Sequence, residues 1–257
     1  IRENKAVTTA GEIDFKILVD ARGVSALVQK DRTGILQSAQ YEIYADWIEK
    51  GKVEVNLDAE KYPGFFSWVI PSGVGTGKVG VAGRGINAMQ VLEKFLEQKG
   101  KYSIIRKVFA PIWVNGPIER FVSKNIVTVG DAAGQSKPTT AGGIYSCGMG
   151  GIYAGRAISK FLETKKQDDL ESYQKMWVEK FGKEFERQMF ARKMLERLDN
   201  KSIDTIFDSL TQDMIADISN NDDFDFHTSA IIKMLGIKGS LKVAQTIFGA
   251  EIRKLLS

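Results

Sequence analysis

Ile126-Val127-Thr128-Val129-Gly130-Asp131-Ala132-Ala133-Gly134 reads as a buried strand that delivers an aspartate at its carboxyl end and turns at once through small residues. In open α/β sheets that position is where ligands bind. After Pro138-Thr139-Thr140-Ala141, Gly142-Gly143-Ile144 opens a helix, whose free N–H groups and positive dipole end favour negative charge. Gly148, Gly150, Gly151, Ala154 and Gly155 continue that helix with little side chain. A tightly packed strand–loop–helix junction accounts for small residues alone. A ligand with hydroxyls at one end and an electron-rich ring at the other accounts for their order as well.

Composition shifts on either side of this block. All five prolines lie at or before Pro138, and beyond Gly155 only Gly182, Gly236, Gly239 and Gly249 remain, so helix is expected there. The predicted helices cover about 143–163, 168–198, 202–218, 228–235 and 240–255. Tyr173, Trp177, Phe181, Phe185 and Met189 recur at steps of four on the second, the stripe of a core helix. Upstream, period-2 and short apolar runs predict strands at Phe15–Asp20, Tyr41–Trp47, Val53–Asp58, Phe65–Ile70, Lys78–Ala82, Val108–Val114 and Asn125–Val129. A helix over Ile86–Gln98 sets Met89, Leu92, Phe95 and Leu96 on one face and stops at Gly100.

The 257 residues, 43% hydrophobic and 26% charged, can bury the core of one large or two modest domains, which excludes disorder, collagen-like structure and coiled coil. Cys147 is the only cysteine and His227 the only histidine, so an intrachain disulfide and a multi-cysteine zinc site are excluded. No G-x-S-x-G elbow offers His227 a nucleophile. Following Asp222, Asp223 and Asp225, His227 reads as a solvated helix-start residue; Cys147 reads as a small packing residue near the ligand, in preference to a redox thiol. A net charge of +4 spread along the chain argues against nucleic acid and is compatible with an anionic membrane surface. No run approaches the roughly 18–20 apolar residues of a spanning helix. Ile1-Arg2-Glu3-Asn4-Lys5 is neither a signal peptide nor a methionine start and reads like a chain entered in its middle.

The G-D-A-A-G block with its later G-G-I resembles the second FAD-binding motif of para-hydroxybenzoate-hydroxylase-like flavoproteins. Within them it is most similar to the geranylgeranyl reductase family, in particular the archaeal digeranylgeranylglycerophospholipid reductases. The resemblance implies that Asp131 holds the ribityl–phosphate region of FAD and that the backbone of Gly142, Gly143 and Ile144 faces the flavin ring. Tyr62-Pro63-Gly64-Phe65-Phe66-Ser67-Trp68-Val69-Ile70-Pro71 is similar to the family's aromatic-x-Trp-x-Phe-Pro segment, with Phe66 and Ile70 where Tyr and Phe are common. In an extended strand Phe66, Trp68 and Ile70 share a face, as a wall for a prenyl chain or as an ordinary core strand. Asp20-Ala21-Arg22-Gly23-Val24-Ser25-Ala26 looks like a degraded G-A-D-G-x-x-S signature, with Arg22 for its Asp and Ala26 for its Ser. Those replacements put NAD(P)H in doubt and leave room for a donor such as ferredoxin.

The G-x-G-x-x-G unit that seats the ADP pyrophosphate in this family is missing. Gly73-Val74-Gly75-Thr76-Gly77-Lys78 fails the P-loop spacing and reads as a hairpin turn, and Gly80-Val81-Ala82-Gly83-Arg84-Gly85 is also misspaced. A preceding segment on the order of half a dinucleotide-binding domain is therefore expected outside this sequence.

The resemblance thus implies a mixed α/β and α+β chain with a partial para-hydroxybenzoate-hydroxylase-like fold. Residues 1–34 and 116–164 would belong to the FAD domain, 35–115 to an antiparallel-sheet substrate domain, and 165–257 to a helical region. The implied activity is FAD-dependent saturation of geranylgeranyl double bonds in membrane-lipid precursors. Its implied partners are an isoprenoid lipid and an electron donor, ferredoxin or NAD(P)H. The implied location is cytoplasmic, with peripheral membrane contact. A monooxygenase, halogenase or quinone-type reductase on the same scaffold, and a non-catalytic lipid-binding protein, are the alternatives.

Overall fold

The structure, a computed structural model, describes residues 4–28, 31–221, 223, 225 and 226; the expected helices at 228–235 and 240–255, and His227, lie outside them. In chain order the strands are β1 (Lys5–Thr8), β2 (Gly11–Asp14), β3 (Leu18–Asp20), β4 (Ile35–Tyr44), β5 (Glu54–Asn56), β6 (Ser67–Gly73), β7 (Thr76–Gly83), β8 (Ser103–Phe109), β9 (Ile112–Trp113), β10 (Val122–Ser123) and β11 (Ile126–Thr128). The helices are α1 (Ser25–Val28), α2 (Ala88–Lys99), α3 (Ile144–Thr164), α4 (Gln167–Leu195), α5 (Asn200–Asp208) and α6 (Gln212–Asn221). The chain divides into two compact units, Ile1–Gly34 with Trp113–Met189, and Ile35–Ile112 with Phe190–Ser257.

In the first unit β11 is the centre of a small sheet ordered β10-β11-β3. It pairs in parallel with β3, Thr128 opposite Asp20, so both strands deliver their following loops at the same end. A separate hairpin, β1–β2, precedes them. The aromatic stripe of α4 is the core: Tyr173, Trp177, Phe181 and Phe185 are all buried. Phe121 packs edge-on to Trp177 at 5.3 Å, and Trp177 Nε1 donates to the Ser146 carbonyl, tying α4 to α3. Each such aromatic contributes on the order of 2 kcal/mol by burial. Met189, the last of the stripe, is half-buried, with its Sδ where a side chain on Gly116 would stand.

In the second unit the strands follow the order β5-β6-β7-β4-β8, antiparallel throughout. Alternation sends Ala39, Tyr41, Ile43, Val69, Val79 and Val81 to one face, where Leu92, Phe95 and Leu96 of α2 cover them. Ala88 completes the buried face of α2, while Met89, expected there, is exposed. Asn87 caps the helix through its side chain, and Gly100 ends it with φ 127. The G-V-G-T-G-K stretch is the hairpin its sequence predicts: β6 and β7 are joined through Val74 and Gly75, the latter at φ 65. The expected helix over 202–218 is two, α5 and α6, because Ser209-Leu210-Thr211 interrupts it. Among the described residues no helix is long and apolar enough to cross a membrane.

Candidate functional site

β11 ends at Thr128, and the chain then turns through a single 3-10 turn, Gly130–Ala133. Gly130 and Gly134 both lie at φ 67, and a Cβ on Gly134 would drive into the Gly116 carbonyl oxygen. The turn is anchored from outside by the Ile118 N–H, which donates to the Ala133 carbonyl. Ala132 and Ala133 are buried beneath it, leaving Asp131 on the open side. A second turn closes Lys137–Gly142: the Lys137 N–H donates to the Gly142 carbonyl and the Ala141 N–H to the Lys137 carbonyl. Gly143 then caps α3.

These turns bound a cleft of about 420 Å³ lined by Ala21, Gly23, Val129, Gly130, Asp131, Ala141, Gly143 and Cys147. Parallel pairing of β3 and β11 explains the set, since the loop after each strand must open at one edge. The walls are small side chains and bare glycine backbone. Asp131 is the only ionisable group of the lining apart from the thiol. A Cβ on Gly143 would stand 2.9 Å from Cys147 Sγ and 3.5 Å from Asp131 Oδ1. The cradle therefore fits a flat, bulky group with hydroxyls near Asp131 and a polar edge at the α3 N-terminus.

Of the residues singled out from sequence, Asp131 and Gly143 line the cleft, and Gly142 belongs to the turn beside them. Ile144 is the first residue of α3, with its side chain 98% exposed. Ala21 and Gly23 of the degraded signature join the lining. Arg22 folds back onto Asp20 as a bidentate pair, Nε to Oδ1 at 2.9 Å and Nη2 to Oδ2 at 2.7 Å. Burial, and then the charge of Asp131, push the Cys147 thiol up to about 12, so it stays protonated. That agrees with a packing role.

Sequence reasoning missed Gln135. It is fully buried; its Oε1 accepts from the Gly130 N–H at 2.8 Å and its Nε2 donates to Tyr173 Oη at 2.8 Å. Tyr173 in turn donates to the Thr128 carbonyl, and Ser146 Oγ donates to the Gln135 carbonyl. One amide thus joins β11, the aspartate turn, α3 and α4. The only trace in the sequence is Gly150, where any Cβ would strike the Gln135 amide.

Phe66, Trp68 and Ile70 belong to the second unit, on the face of its sheet opposite α2. The Trp68 ring lies over Gly80, which has no side chain to obstruct it, and Trp68 Nε1 donates to Gln40 Oε1 at 3.1 Å. Phe66 meets Trp68 edge-on at 6.1 Å and stacks on Phe65 at 4.0 Å. Phe66 and Trp68 are half-buried and Ile70 is exposed.

No family model matches the chain. It is 32% identical over 246 residues to an uncharacterized protein of Methanocaldococcus jannaschii, covering 89% of this chain and 63% of that one. It is 30% identical over 230 residues to a digeranylgeranylglycerophospholipid reductase of Methanopyrus kandleri, covering 79% and 57%. The chain therefore spans less than two thirds of either relative. Among solved structures, a geranylgeranyl bacteriochlorophyll reductase-like protein of Thermoplasma acidophilum superposes on 100% of this chain and 67% of its own, with a TM-score of 0.75 and 20% identity. A probable FAD-dependent monooxygenase of Pseudomonas aeruginosa matches 75% of this chain and 60% of its own, with a TM-score of 0.52 and 14% identity. The fold is thus the para-hydroxybenzoate-hydroxylase-like one expected, and in sequence the chain is similar to archaeal digeranylgeranylglycerophospholipid reductases over part of their length.

Proposed function

We infer that the chain is part of an FAD-dependent reductase that saturates isolated double bonds of geranylgeranyl chains in membrane-lipid precursors. One observation carries the reading: a glycine-walled cleft at the ends of two parallel strands presents a single carboxylate, Asp131, in a chain related to reductases of such lipids. When bound, reduced flavin supplies a hydride from N5 to one alkene carbon, while a proton reaches the other.

Asp131, one oxygen of which accepts from the Cys147 thiol at 3.7 Å, would hold the ribityl hydroxyls of a bound FAD. Gly142, Gly143 and Ile144 offer main chain at the dipole end of α3, which favours the electron-rich edge of the ring. Gln135 fixes the Gly130 amide and thereby the direction in which Asp131 leaves the turn. Phe66, Trp68 and Ile70 receive the apolar chain. An unactivated alkene has no carbonyl to polarise, so the protein's part is to align it and exclude water. The electron donor belongs to the ferredoxin or NAD(P)H class, and substrates of this kind bring the protein to a membrane surface without a spanning helix.

The test is anaerobic: the whole protein with FAD, chemical reductant and a geranylgeranyl glycerophospholipid, read by mass spectrometry. Stepwise gain of two hydrogens per double bond supports the reading. An unchanged lipid, with oxygen-dependent product from a phenolic substrate instead, overturns it.

A further inference from the structure

The turn that carries Gly142 toward the cleft is built over a lysine side chain. Lys137 is 2% exposed, although lysine is among the residue types least often buried. Its N–H donates to the Gly142 carbonyl at 2.9 Å and its carbonyl accepts from the Ala141 N–H at 2.8 Å, so its main chain closes the turn. Its side chain packs against the same turn: a Cβ on Gly142 would stand 2.9 Å from Lys137 Cε and 3.5 Å from Nζ. A Cβ on the next residue, Gly143, would instead stand 3.5 Å from Asp131 Oδ1. The paired glycines thus have an amine against the first and the carboxylate of the cleft against the second. Ala141, which lines the cleft, is held at φ 58, a left-handed conformation unfavourable for a residue with a Cβ. The turn keeps that strain where it faces the ligand.

Burying an ammonium group is costly, and Leu or Met would fill the same volume without that cost. What a cation can do here follows from the charges of the cleft. Asp131 is its only carboxylate and the Cys147 thiol stays protonated, so the lining by itself is negative. A flavin ring reduced by two electrons and one proton gains one negative charge, spread over its N1/O2 edge, and a negative lining opposes that gain. The N-terminus of α3 at Gly143 offsets part of it, with a reach of about one turn. Lys137 Nζ adds a full positive charge beneath the Gly142 main chain, shielded from water and so acting through a low dielectric.

We propose that Lys137 tunes the flavin: its buried ammonium, set against Gly142, favours the reduced form of the bound ring over the oxidised form. The proposal rests on the reading of this cleft as the FAD site, and gives that site a group that sets the driving force for hydride transfer. Lys137 neither gives nor takes a proton; it shifts an equilibrium by its charge. The effect is that of one charge present or removed, and does not require the amine to lack hydrogen bonds.

The experiment measures the midpoint potential of FAD in the whole protein by anaerobic reduction against a reference dye, for wild type, Lys137→Met and Lys137→Arg. In Lys137→Met the ratio of reduced to oxidised flavin at a given potential should fall about tenfold or more. That is the effect expected of a unit charge about 10 Å away at an effective dielectric of about 20. For a two-electron couple it is a potential about 30 mV lower. Lys137→Arg keeps the charge and should stay near wild type. Lys137→Gln keeps a hydrogen-bonding end without the charge, and carries the test if Lys137→Met does not fold. Equal potentials in wild type and the neutral variants overturn the proposal, even where FAD is held more weakly, because a residue that only braces the turn weakens both forms alike. A potential in Lys137→Arg as low as in Lys137→Met overturns it too. Wild-type protein that takes up no FAD overturns the cofactor reading itself, whereas FAD bound at an unmoved potential overturns the assignment of Lys137 alone.

Discussion

The Cys147 thiol donates to Asp131 Oδ1 across 3.7 Å, so the only cysteine of the chain and the only carboxylate of the cleft share a hydrogen bond. Burial first, and the neighbouring negative charge second, hold the proton on sulfur to about pH 12. Folding therefore protects the thiol: alkylation of the native protein near pH 8 should be many times slower than that of the denatured chain, because the thiolate is the reactive form. A native rate equal to the denatured one would remove the bond to Asp131.

The same shift sets an alkaline limit. The unfolded cysteine loses its proton near its ordinary 9.0, the folded one near 12, so between them the unfolded state binds fewer protons. The stabilisation is fully present below the unfolded value and is lost as pH rises toward the folded one. Urea midpoints of wild type and Cys147→Ala should converge between about pH 8 and pH 10.5. Parallel curves would contradict this.

Glu196 gives the acid counterpart. Burial opposes its charge, but the bond from Arg84 and the charge of Arg192 hold its carboxyl below the usual range. A depressed value means stability present at neutral pH and lost as pH falls through the folded value. Glu196→Gln should be less stable at pH 7 and show a flatter acid limb in denaturant titrations; an acid limb identical to wild type would refute the coupling.

Gln135→Leu strands the Gly130 N–H and leaves Tyr173 Oη with its bond to the Thr128 carbonyl alone. A loss of about 2–4 kcal/mol in chemical denaturation is expected. Gly150→Ala should reach a similar loss by displacing the same amide, and the double variant should cost less than the sum. Strict additivity would show that the two residues act apart.

The sequence made some parts of this legible and hid others for physical reasons. The strand into Gly130-Asp131 and the aromatic stripe of α4 were readable because burial on one or both sides leaves an uninterrupted apolar signal. β8 was seen only at its end, Val108, because Ser103–Lys107 forms an exposed edge with Arg106 and Lys107 beside Ile104 and Ile105. The start of β4 was missed because Gln37, Ser38 and Gln40 interrupt the pattern, and the β1–β2 hairpin because it buries almost nothing. In the cleft, the glycines and Asp131 carried their meaning in their order. Gln135 did not: a buried amide is recognised only once its partners on β11, α3 and α4 have been brought together.

Flavin retention in Asp131→Ala tests the central claim most directly. Purified whole protein should carry flavin absorption bands, and the variant should hold FAD about tenfold or more weakly, the expected loss of hydrogen bonds to a charged group. Equal flavin occupancy in wild type and Asp131→Ala would contradict the assignment of this cleft to FAD.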